Sequence, residues 1–267
     1  MTSRKNTAGR LPDQERICLH AAAATSAGHV RARNEDSSFI DEESGLFVVS
    51  DGIGGAQAGD VASRMVTTVL PRMILSRLAR GREAHSQAIR SWLRRDMLSL
   101  SKGIYLESVG NPLTEGMGAT VVLVLVLANR AFVGHMGDSR VYWYRAERLT
   151  QLTLDHSVLS LLLRAGEISV AEAQVHPARG RLTRYMGMKE ESHPDIRTIR
   201  LRGGDRLLLC TDGLSGMISS DRIARILGLF RDPAEACRRL VETADDAGGS
   251  DNATALIVNV DGEPTGL

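Results

Sequence analysis

The acidic residues of this chain recur in one kind of place, beside glycine or another small residue at the edge of an apolar run. Asp51-Gly52 follows Leu46-Phe47-Val48-Val49, and Asp212-Gly213 follows the run 207–210. Gly137-Asp138-Ser139 follows 131–135, Asp251-Asn252 precedes the run 253–260, and Glu35-Asp36 comes just before Phe39. The end of a strand is a rigid mount, and glycine lets a carbonyl or a ligand approach the backbone closely. Carboxylates converging at such ends repel one another by several kcal/mol at interior dielectric. Hard divalent cations relieve that repulsion, and an all-oxygen donor set favours Mg²⁺, Mn²⁺ or Ca²⁺ over zinc or copper.

Other chemistries lack their residues. The sequence has no HExxH, no Cys/His cluster and no P-loop, and its lysines are Lys5, Lys102 and Lys189, none beside the glycine-rich segment Asp51-Gly52-Ile53-Gly54-Gly55. Cys18, Cys210 and Cys237 are widely spaced, with no CxxC and no Cys-x5-Arg loop. That pattern excludes a disulfide framework and a thiolate zinc site, gives a phosphocysteine route no support, and fits a reducing cytoplasm.

Apolar patterning supplies the elements that must hold these aspartates. Strands are predicted over 17–25, 46–49, 119–127, 131–136, 140–145, 196–201, 206–210 and 253–260, with a tight hairpin at Asn129-Arg130. Helical spacing runs from Val61 to Leu78 and over 86–108, then again around 221–229 and 233–247. Residues 155–190, with short helical patches and scattered His and Arg, read as an inserted flap over a site. Strand runs interrupted by helix pairs imply an α+β arrangement.

Composition sets the outer limits. The 267 residues are 43% hydrophobic and 24% charged, enough for a sizeable core without disulfide staples. Basic and acidic residues number 33 and 32, so charge gives no reason to invoke nucleic acid or an anionic membrane. The longest apolar run, 119–128, is half of the roughly 20 residues needed to span a bilayer. Residues 1–14 read as a polar, disordered tail without a secretory signal, and 15–262 as one domain.

Six segments, in order, then resemble the metal-dependent Ser/Thr phosphatases of the protein phosphatase 2C family, bacterial branch. They are residues 25–37 with Arg31…Asn34-Glu35-Asp36, Val49-Ser50-Asp51-Gly52-Ile53-Gly54-Gly55, Gly116-Met117-Gly118-Ala119-Thr120, Gly134-His135-Met136-Gly137-Asp138-Ser139-Arg140, Leu209-Cys210-Thr211-Asp212-Gly213-Leu214, and Ser250-Asp251-Asn252-Ala253-Thr254. Each segment alone is weak, since Asp-Gly is a common turn signal. In register they are specific.

The resemblance implies a four-layer α-β-β-α sandwich of two antiparallel sheets flanked by helix pairs, with a small flap insertion. It implies two Mn²⁺ or Mg²⁺ ions with a hydroxide between them. Asp51 would bridge both ions, the Gly52 carbonyl would bind the second, and Asp212 and Asp251 would complete the first. Glu35 and Asp36 would act through metal-bound waters, with Asn252 beside them. Asp138 would hold a third, weaker ion with Asp212 shared, and Arg31 would clamp the substrate phosphate. The implied substrates are phosphorylated proteins, acted on by a cytoplasmic monomer opposing a bacterial Ser/Thr kinase. Two alternatives stay open at this stage: a non-catalytic phosphoprotein-binding module on the same fold, and a sporulation-type phosphatase acting on an anti-sigma antagonist.

The sequence departs from the family pattern at three positions. Ile53 and Ala56 stand where many relatives carry a candidate proton-donating histidine, and Gly180 stands where several bacterial relatives have a serine near the third ion. His135 reads as a satisfied strand histidine. His156, His176 and His193 read as surface or substrate-edge groups, and Arg179, Arg181 and Arg184 as a solvated face.

Overall fold

The computed structural model describes residues 17–54, 58–80, 85–190 and 192–262; the expected N-terminal tail, Gly55 and Ala56 lie outside the described residues. The chain runs β1 (Ile17–Ser26), β2 (Ser37–Asp41), β3 (Leu46–Ser50), β4 (Gly52–Ile53), α1 (Gly59–Leu78) and α2 (Ser86–Gly110). Five strands follow: β5 (Gly118–Ala119), β6 (Val121–Leu127), β7 (Arg130–Met136), β8 (Arg140–Arg145) and β9 (Arg148–Gln151). The flap carries α3 (Val158–Ala165) and α4 (Val170–Val175). The chain then closes with β10 (Asp195–Arg200), β11 (Arg206–Cys210), α5 (Asp212–Ser215), α6 (Ser220–Leu229), α7 (Pro233–Asp246) and β12 (Ala253–Gly262).

Two five-stranded sheets, ordered β1-β12-β11-β8-β9 and β10-β7-β6-β3-β2, are antiparallel throughout. The layering follows from the two-residue period of a strand. In β3, Leu46 and Val48 pack toward α1 and α2, whereas Phe47 and Val49 pack against the opposite sheet. β6 sorts in the same way, with Val121, Leu123 and Leu125 toward the helices and Val122, Val124 and Val126 between the sheets. In β11, Leu207 and Leu209 face the other sheet, and Leu208 and Cys210 face α6 and α7. Continuous apolar runs are therefore required, because both faces of the central strands are covered. The four-layer sandwich expected from the resemblance is the fold observed.

The helix pairs use the spacing expected of them. Ala62, Val66, Leu70 and Ile74 form the buried stripe of α1, and Ile89, Leu93, Met97, Leu100 and Ile104 that of α2. A guanidinium fork joins the pair: Arg77 donates from Nε and Nη2 to the two oxygens of buried Asp96 at 2.7 and 2.6 Å. At the other face, α7 starts on Asp232, which accepts from the Glu235 N–H at 2.7 Å, with Pro233 in the first turn.

One local expectation needs correction. The β6–β7 turn falls on Ala128 and Asn129, one residue earlier than read, with Ala128 at φ +52°. Asp212 opens the short helix α5. Strands β2 and β9 went unread because each is short and polar, at a sheet edge.

A carboxylate cluster as candidate active site

The loops at one end of the sandwich bring the chemistry-bearing aspartates together. Asp51 leaves β3 and is pinned on both sides of its peptide: its N–H donates to Thr120 Oγ1 at 2.9 Å, and its carbonyl accepts from the Thr120 N–H at 2.8 Å. Thr120 is held in turn by Ser139 Oγ at 2.7 Å. Gly52 admits no side chain, because a Cβ there would stand 2.1 Å from the Gly59 carbonyl oxygen at the start of α1. Gly213 is equally constrained, with its Cβ position 2.0 Å from the Asn252 carbonyl oxygen. These two glycines let the α1 and β12 backbones close on the aspartate-bearing loops.

Asn252 staples the 27–35 loop to β12. Its Nδ2 donates to the carbonyls of Ala27 and Arg33, each at 2.9 Å, and its Oδ1 accepts from the Glu35 N–H at 2.8 Å. Arg31, half exposed, reaches across to Asp251 Oδ2 at 2.7 Å. Asp251 raises the Arg31 guanidinium above its ordinary value through that hydrogen bond and its charge.

The electrostatics show how closely the carboxylates crowd. Burial pushes Asp51 well above the ordinary carboxylate range, and the charges of Asp36, Asp212, Asp138 and Asp251 push further. Asp138 is raised to about 8 by burial, then by Asp212 and Asp155. Asp36 is raised to about 7 by burial, against the opposing hydrogen bonds of Thr254 and Thr211. Asp212 is raised by burial and by Asp251, with Arg140 acting the other way. Glu35, at the rim, is raised by burial and by Asp60. One carboxylate oxygen, Asp36 Oδ1, is buried with no hydrogen-bond partner. A set of half-buried carboxylates that raise one another's proton affinity suits hard divalent cations, whose charge removes the penalty. The residues present therefore fit such ions.

Arg140 contributes charge from behind. It forks onto Asp155, with Nη2 at 2.6 Å and Nε at 2.9 Å, and donates to the Tyr142 hydroxyl at 3.0 Å. Next in sequence, His156 corrects an expectation, being buried instead of at the surface. Its backbone N–H donates to the Gly137 carbonyl at 2.9 Å, and its Nδ1 accepts from the Gly137 N–H at 3.3 Å. The ring thus carries its proton on Nε2, which points at Asp195 Oδ2, 3.0 Å away. Arg184, read as solvated, lies 3.5 Å from Asp195 and 3.3 Å from His156 Nε2.

His135, His156 and Asp195 place donor atoms within 4.8 Å of one another, but these atoms are already engaged, His156 with Asp195 and His135 with the Leu154 carbonyl. The two rings stack at 4.4 Å with planes 13° apart, so their in-plane lone pairs cannot converge on one ion. His135 Nε2 is also engaged by the Leu154 carbonyl at 2.9 Å, as expected of a satisfied strand histidine. Ile53 sits in β4 opposite Gly118, and Gly180 (φ +75°) has open space around it.

Sequence reasoning missed the hydroxyls that position the cluster: Ser50, Thr120, Ser139, Thr211 and Thr254, all buried. All five lie inside the segments that carried the resemblance, so their positions were visible while their partners were not.

Comparison with known proteins agrees with this geometry. Residues 24–250 match the family described as Protein phosphatase 2C. The chain is 34% identical to the serine/threonine phosphatase stp of Listeria monocytogenes over 246 residues, covering 91% of this chain and 96% of that protein. It is 33% identical over 249 residues to the protein phosphatase PhpP of Streptococcus pneumoniae, covering 92% and 99%. Among solved structures, the catalytic domain of the serine/threonine protein phosphatase PstP in complex with two manganese ions superposes with a TM-score of 0.80 at 33% identity, covering 92% of this chain and 99% of that one. The chain belongs to the protein phosphatase 2C family.

Proposed function

We infer that this protein serine/threonine phosphatase works through Mn²⁺ or Mg²⁺ held by Asp51, the Gly52 carbonyl, Asp212 and Asp251, with Asp138 toward a third ion. Glu35 and Asp36 would complete the rim and floor of the site. The observation that carries the reading is the crowding together of half-buried Asp36, Asp51, Asp138 and Asp212, each raised by desolvation and by its neighbours' charge. When bound, such ions neutralise this charge and activate water for attack on a phosphomonoester.

The chain's own residues do the rest. Thr120 fixes the Asp51 peptide, so the carboxylate stays aimed while its neighbours change charge. Asn252 fixes the loop that carries Arg31. Arg31 uses one nitrogen on Asp251, which leaves further N–H donors in solvent, where they can orient a phosphate dianion bidentately. Arg140 balances part of the charge on Asp212.

The cellular setting we propose is the cytoplasm, with the enzyme acting as a monomer on the targets of a Ser/Thr kinase. No helix among the described residues is long and apolar enough to cross a membrane. Cys18, Cys210 and Cys237 are all unpaired, which suits a reducing compartment.

Phosphate release from phosphothreonine, phosphoserine and phosphotyrosine peptides, each with Mn²⁺, Mg²⁺ or EDTA, tests the reading. Turnover of the first two, abolished by EDTA, is expected. Folded protein without turnover under any metal would overturn it and favour a phosphoprotein-binding module.

A further inference from the structure

The half-buried Asp36 carboxylate is asymmetric. Its Oδ2 accepts from Thr254 Oγ1 at 2.6 Å and from Thr211 Oγ1 at 2.9 Å. Its Oδ1 is buried and has no hydrogen-bond partner. Both threonines are buried. The hydroxyl protons can be followed one at a time, because each hydroxyl has one to give. Thr254 gives its proton to Asp36, so its 2.7 Å contact with Thr25 Oγ1 must be donated by Thr25. Thr25 in turn accepts from Asn34 Nδ2 at 2.8 Å. Thr211 gives its proton to Asp36 and accepts the Thr254 N–H at 3.0 Å. Asn34 closes the circuit, with Oδ1 accepting the Asp36 N–H at 3.1 Å.

We propose that Thr254 and Thr211 are positioning residues for Asp36, Thr254 as the last link of a one-way donor relay Asn34→Thr25→Thr254→Asp36 and Thr211 as a second, separate donor. The relay spends Oδ2 on hydroxyl protons and leaves Oδ1 as the single atom turned to a divalent cation or its water shell. Strand register makes this arrangement obligatory. Thr25 and Thr254 are directly paired across β1 and β12, and Thr211 follows Cys210, which pairs with Ala255. The proposal rests on the reading of Asp36 as part of the metal centre. It adds that Asp36 binds through one oxygen, in an orientation set by two hydroxyls.

The test is Mn²⁺ binding to the chelator-stripped full chain, followed by titration calorimetry, with folding checked by circular dichroism. Thr254→Val keeps the shape and removes the hydroxyl, and should weaken Mn²⁺ binding about 10- to 100-fold, the usual effect of removing a group that orients a ligand. Thr254→Ser restores the hydroxyl and should stay within about threefold of the wild type, which a purely packing role for the methyl would not give. Turnover of Thr254→Val should recover at high Mn²⁺, so the activating concentration moves and kcat does not. Thr25→Val, one link further out and exposed, should weaken binding several-fold and serves if Thr254→Val does not fold. Asp36→Asn separates the two ways of failing. Weakened binding in Asp36→Asn with wild-type binding in folded Thr254→Val, or in Thr25→Val where that variant must stand in, overturns the relay alone. Wild-type binding in Asp36→Asn overturns Asp36 as a ligand, and the relay's purpose with it.

Discussion

His156 shows how much one side chain can hold. It grips Gly137 through its main chain and its ring, next to Asp138, while its outer nitrogen faces Asp195. Burial and the neighbouring His135 push it down to about 4. The folded state therefore keeps it neutral in a pH range where the unfolded chain, near the ordinary 6.5, has already taken a proton. Its contribution to stability is complete above pH 6.5 and is lost as pH falls toward 4. Between pH 7 and 5 the wild type should lose about 1–2 kcal/mol more than His156→Gln, as measured by urea unfolding at each pH. Parallel curves for the two proteins would contradict this. From sequence, His156 read as a surface group. Nothing local announces that residue 156 folds back over residue 137, because that contact depends on the path of β8 and β9 between them.

At the scale of elements, the sequence was most legible where physics forces a pattern on it. Strands covered on both faces must be apolar throughout, and β3, β6 and β11 were readable for that reason. Helices α1 and α2 showed their buried stripes at helical spacing. Edge strands carry no such requirement, and β9, Arg-Leu-Thr-Gln, was invisible. Nothing in the spacing of α1 announces that Arg77 ties α1 to α2 through Asp96, whose side chain is 2% exposed. Arg77→Met strands a buried carboxylate and should cost about 3 kcal/mol in urea unfolding, with kcat unchanged since the pair is remote from the cluster. Equal stability for the two proteins would mean that the helix pair is held by its apolar seam alone.

For the whole molecule, the sandwich is a rigid support for a site that works against it. Two sheets and their helix pairs bury three apolar layers, and the loops at one end then force like charges together. Stability is thus traded for function at the cluster. In EDTA, Asp212→Asn removes one half-buried negative charge from the cluster and should raise the thermal midpoint by a few degrees, about 1 kcal/mol, although it abolishes turnover. A lower midpoint would show that Asp212 is needed for the fold itself. The aspartate positions were legible because each stands at a strand end beside a small residue. The relay through Thr25, Thr211 and Thr254 was not, because it joins residues up to 229 positions apart through strand register.

The most direct test of the metal-centre account follows phosphate release from a phosphothreonine peptide while Mn²⁺ is titrated into chelator-stripped protein, with Asp51→Asn alongside. The account predicts no release without metal, saturable activation in the wild type, and at least about a 10³-fold loss in the folded variant at every Mn²⁺ concentration. Release that is independent of Mn²⁺, or an Asp51→Asn variant as active as the wild type, would contradict it.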